Sequence, residues 1–75
     1  MVLSQICPGE RVEILQMPEC GVLTRHLRRF GIVVGSQLVC RYFSPGKDLV
    51  AVEYGGGVLA LRVEELTQIR VRLCQ

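Results

Sequence analysis

Four cysteines, Cys7, Cys20, Cys40 and Cys74, and one histidine, His26, are the soft ligands and nucleophiles of this 75-residue chain. Thiolate and imidazole could hold a zinc-like ion, and a base beside a hydroxyl could drive acyl transfer. Structural zinc sites usually include at least one closely spaced ligand pair, and no C-x-x-C is present. Cys20, His26 and Cys40 are therefore metal candidates only if the fold gathers distant positions. The expectation is no resident metal, no cofactor and at most weak divalent-cation binding. Ser4, Ser36 and Ser44 have no activating base beside them, and Glu64-Glu65 are adjacent residues whose side chains diverge. No catalytic residue is expected, and the chain is read as a non-enzyme.

Gly55-Gly56-Gly57 could let backbone N–H groups approach a phosphate. A P-loop, however, needs a downstream Lys-Ser or Lys-Thr opening a helix, and the strand-like Val58-Leu59-Ala60-Leu61 follows instead. A dinucleotide fingerprint would need a βαβ unit, which the chain does not contain. The glycines are expected to form a hairpin turn.

Arg25-His26-Leu27-Arg28-Arg29, with Arg70 and Arg72, could favour nucleic acid. The net charge is only +2, from nine basic and seven acidic residues, far from the balance expected of a dedicated nucleic-acid binder. Two Phe, two Tyr and no Trp leave little for base stacking, because Tyr42 and Tyr54 fall on expected inner faces. A nucleic-acid-binding small barrel is the weaker alternative, and no nucleic-acid partner is expected. Apolar runs are far shorter than the roughly 20 residues of a membrane span, and Met1 to Gln5 lacks a signal-peptide pattern. The expectation is a cytoplasmic protein with reduced thiols and no membrane insertion.

The elements that position these groups follow from hydropathy period. After the turn pair Pro8-Gly9, Val12 and Ile14 alternate with polar residues, a strand that Pro18 ends. Leu23, Leu27 and Phe30 then recur at helical spacing, with Thr24, Arg25, Arg28 and Arg29 off that stripe, and Gly31 stands where a left-handed cap would. Leu38/Cys40/Tyr42, Val50/Val52/Tyr54, Leu59/Leu61 and Ile69/Val71/Leu73 predict four more strands, joined by Pro-Gly and Gly-Gly turns, with one helical turn at Val63 to Leu66. Edges of so small a sheet are best removed by curling it closed. The fold class is all-β: a small five-stranded antiparallel barrel with one short α-helix inserted after the first strand, a single domain over residues 1–75.

The order of Pro8-Gly9-Glu10, the helix ending in Leu27-x-x-Phe30-Gly31-Ile32-x-x-Gly35, and Leu59-Ala60-Leu61-Arg62 resembles the FeoA family. That family comprises ferrous iron transport protein A and the similar domain that ends some metal-dependent repressors. The chain departs in carrying Val34-Gly35 where Pro-Gly is usual and Phe30-Gly31 where Leu-Gly is frequent. The resemblance implies an SH3-like barrel acting as an accessory to a ferrous iron permease with a cytosolic GTPase domain (FeoB type). It transfers no catalytic residues and no fixed metal ligands. A metal-responsive regulatory domain is the alternative it leaves, although no helix-turn-helix precedes the barrel. For partner binding, Met17, an adaptable side chain, and Arg25, Arg28 and Arg29 are the candidates. Edge strands and Cys74 leave self-association open.

Overall fold

Cys7-Pro8-Gly9-Glu10 forms a tight turn in which the Glu10 N–H donates to the Cys7 carbonyl at 3.0 Å. The Glu10 carboxylate accepts the Cys7 N–H at 2.7 Å, closing the turn a second time. It delivers the chain into β1, Arg11–Gln16, with Val12 and Ile14 fully buried as alternation requires. The computed structural model describes residues 1–74. After β1 come α1 (Val22–Arg29), β2 (Gln37–Phe43), β3 (Leu49–Tyr54), β4 (Gly57–Arg62), a 3-10 helix Val63–Gln68 and β5 (Arg70–Leu73). All pairings are antiparallel, in the order β4-β3-β2-β1-β5.

The five-stranded, mostly β architecture with one helix after the first strand is the expected one. Its inward residues, Val12, Ile14, Leu38, Cys40, Val50, Val52, Leu61 and Val71, meet Leu27, Ile32 and Leu66 in one core. The sheet is the expected small barrel, and its end strands β4 and β5 leave a gap with no ladder across it among the described residues. The 3-10 helix spans that gap, six residues where the sequence suggested a single turn, and buries Leu66.

Two strand side chains expected inside are outside. The ladder between β2 and β3 slips between Cys40 and Tyr42, so alternation breaks there and Tyr42 is 64% exposed while Phe43 packs on the core. Leu73, the last residue of β5, is 45% exposed although its partner Val12 is buried; the slip on β1, between Ile14 and Gln16, lies at the other end of that ladder. Tyr54 faces Gly57 across the β3–β4 hairpin, which leaves Gly55-Gly56 as a two-residue loop. A Cβ on Gly56 would sit 2.8 Å from Cε2 of Tyr54, and Gly57 holds φ at 147°. The glycines accommodate a ring and a hairpin, and they lead into a strand.

Candidate functional site

α1 is eight residues long and begins without a side-chain cap at Gly21. Instead, the Thr24 hydroxyl donates to the Pro18 carbonyl at 2.8 Å, tying the first turn back onto the Met17–Gly21 loop. Thr24 is consequently 1% exposed, although its polarity suggested an outer position. Leu27 is fully buried and Leu23 half-buried, so the inner face is Leu23, Thr24 and Leu27. Phe30, expected to complete that face, lies just past the helix and is 40% exposed. Its ring meets His26 edge-on at 5.3 Å and Tyr54 edge-on at 5.9 Å. This chain of rings pins the C-terminal end of α1 to the β3–β4 hairpin. His26 and Phe30 at i, i+4 were visible in the sequence; their contact with Tyr54 was not.

Burying Thr24 and Leu27 turns Arg25, Arg28 and Arg29 outward together. At 100° per residue the three fall within an arc of about 100° opposite Leu27, and all are exposed. The ion pairs among the described residues are Arg41 with Glu53 at 3.3 Å and Arg72 with Glu13, so none of the three has a carboxylate partner. Arg28 and Arg29 also stand in the last turn, where the helix dipole favours cations. The arrangement offers three free guanidinium forks, suited to carboxylates presented by another surface.

Met17 is half-buried against the core and lines a groove with Pro18, Gln16, Met1 and Arg70. None of the three arginines lines that groove, so the structure does not gather the four candidates around one cavity. Nor does it gather the three metal candidates. Cys40 is fully buried between β1 and β3, whereas Cys20 and His26 are exposed. Among the described residues no three His, Cys, Asp or Glu side chains converge as a metal site.

Burial raises the Cys40 thiol above its ordinary value of 9.0, and Cys7 and Glu10 nearby push it further in the same direction. The folded chain thus holds that proton more tightly than the unfolded chain does. Stability is fully present below pH 9.0 and falls as pH rises beyond it. The urea midpoint is expected to decline above that pH, and the Cys40→Val variant is expected to decline less; equal declines would place the effect elsewhere. No helix among the described residues is long and apolar enough to cross a membrane.

The profile of the FeoA domain matches residues 1–73. The structure superposes on that of the FeoA protein from Chlorobium tepidum with a TM-score of 0.91 at 29% identity, covering 100% of this chain and 71% of that one. Iron(II) transport protein A from Clostridium thermocellum superposes with a TM-score of 0.87 at 27% identity, over 97% of this chain and 45% of that chain. FeoA from Stenotrophomonas maltophilia, crystallised with zinc, gives a TM-score of 0.79 at 24% identity, over 96% of this chain and 89% of its own. That protein is described as a prokaryotic SH3-domain protein and a candidate ferrous iron transport activating factor, and at this identity the likeness is one of fold. A search of curated proteins finds no match.

Proposed function

The chain belongs to the FeoA family, and from that premise we propose that it is a small cytoplasmic accessory protein of ferrous iron transport. It binds the cytosolic GTPase part of a ferrous iron permease (FeoB type) and modulates it by protein contact alone. The observation that carries this is the outward row Arg25, Arg28 and Arg29, three exposed cations on one helix face with no carboxylate partner among the described residues. Guanidinium groups left free on a rigid element are suited to steer and orient an acidic partner surface. Met17 would add a separate contact from its own groove, which none of the three arginines lines.

The metal-responsive alternative would need ligands that meet, and among the three candidates Cys40 is fully buried whereas Cys20 and His26 are exposed. The test is titration of the purified chain with the soluble GTPase part of a ferrous iron permease. Binding is expected, and the Arg25→Glu/Arg28→Glu variant is expected to weaken it by about tenfold or more, mostly at moderate ionic strength. A folded charge-reversed variant that binds as tightly as the unaltered chain would remove the helix face from the interface. No binding by the unaltered chain would overturn the proposed partner.

A further inference from the structure

The two ends of the sheet are treated differently. The outer side of β5 is covered: Val2 bridges Arg70, the Val71 N–H donates to the Met1 carbonyl at 2.9 Å, and the Leu3 N–H donates to the Ile69 carbonyl at 2.8 Å. β4 pairs with β3 along its whole length and, among the described residues, with no other strand. Open edges are normally protected by charge, proline or a bulge. β4 has none of these before its last residue: it reads Gly-Val-Leu-Ala-Leu-Arg, and its register with β3 runs unbroken from Gly57 to Arg62.

The hydrogen-bond alternation says which groups are free. The Val63 N–H donates to the Asp48 carbonyl at 2.9 Å, so in an antiparallel ladder the odd-numbered residues of β4 point their backbone groups at β3. The N–H and C=O groups of Val58, Ala60 and Arg62 therefore point away from the sheet. Val58 is 58% exposed. On the inner side of the same edge, a groove of about 250 Å³ runs between Ala60 and Leu61 and the start of α1 at Val22 and Leu23, with Val22 80% exposed.

We propose that β4 is a self-association edge, at which two copies of this chain pair their β4 strands antiparallel about Ala60 and join two sheets into one. This register satisfies three requirements together. It pairs Ala60 with Ala60 of the second copy and Val58 with Arg62, so all outward backbone groups of the three residues find partners. It keeps faces matched, because Leu59 lies opposite Leu61 on the inner side and the small Ala60 sits on the twofold axis. It also separates like charges. Arg62, which has no carboxylate partner among the described residues, lies along Val58 of the second copy, and the neighbour of Val58 on β3 is Glu53, a half-exposed carboxylate whose ion pair with Arg41 the guanidinium of Arg62 would join. An acidic edge strand from a different protein would gain no such reciprocity.

Sedimentation velocity of the full chain, from micromolar to millimolar concentration, tests this without any permease present. The unaltered chain is expected to shift from monomer to dimer. Val58→Lys places a charge on the edge, and Ala60→Pro removes an outward N–H that the monomer does not use. Both are expected to keep the monomer's melting profile and to raise the dimer dissociation constant at least about tenfold. Amide exchange at Val58, Ala60 and Arg62 is expected to slow as concentration rises. A chain monomeric throughout, or folded variants that dimerise as the unaltered chain does, would overturn the proposal. So would protection of these three amides only on adding the GTPase part of a permease, which would make the occupant a partner's strand.

Discussion

Leu27→Ala is expected to lower the unfolding free energy by about 3 kcal/mol, the middle of the range for truncating a fully buried leucine. Leu27 is wholly inaccessible and is the only fully buried apolar side chain that α1 contributes. An eight-residue helix is too short to persist alone, so its docking depends on this contact together with the half-buried Leu23. A domain of this size has about 4–11 kcal/mol in total, so the loss consumes a large share of it. Urea unfolding followed by far-UV circular dichroism measures the change. A loss below about 1 kcal/mol would mean that the site collapses around the alanine, contrary to the packing described. Because Leu27 lies opposite the three arginines, the same variant is expected to loosen the face they form and to weaken partner binding along with stability.

The second large effect belongs to Gly31, where Gly31→Val is expected to cost about 2 kcal/mol. Gly31 holds φ at 78°, a left-handed conformation that a β-branched residue adopts only with strain. That conformation ends α1. The Ile32 N–H reaches back to the Leu27 carbonyl and the Gly31 N–H to the Arg28 carbonyl, both at 3.0 Å. The accompanying apolar contact is between Leu27 and Ile32, both buried in the core. A Cβ at Gly31 would meet nothing within 4 Å, so the expected cost is one of backbone conformation and not of crowding. Gly31→Asn, which tolerates the left-handed region better, is therefore expected to lose clearly less. Equal losses for valine and asparagine in thermal or urea unfolding would contradict that attribution.

Both effects concern features that could be read in the chain before any coordinates. Gly31 stands directly after a run of helical spacing, and Leu27 is the centre of its apolar stripe. The basic row was legible as well, since Arg25, Arg28 and Arg29 fall off that stripe by period alone. What was misplaced lies at the boundaries of the stripe. Thr24 is inside because its hydroxyl finds the Pro18 carbonyl, a bond between loop and helix that no hydropathy pattern encodes. Phe30 is partly outside because the helix has already ended, and its ring is occupied by His26 and Tyr54. The three candidate metal residues do not converge for a related reason: Cys40 lies on the inner face of a central strand, and its depth is a property of the assembled core.

By itself, then, the sequence determined the local geometry of this protein: five period-two strands, one amphipathic helix stopped by Gly31, and a hairpin at Gly55-Gly56. These follow from side-chain spacing and from the conformations glycine and proline permit, which act over a few residues. Only the tertiary structure decided where alternation slips, which sheet edge stays open and which arginines lack partners. Tyr42 turns out because β2 must match β3 across a slip in register, and β5 is covered because Met1 and Val2 return to it. Such outcomes depend on pairings between residues far apart in the chain, and no local period carries them.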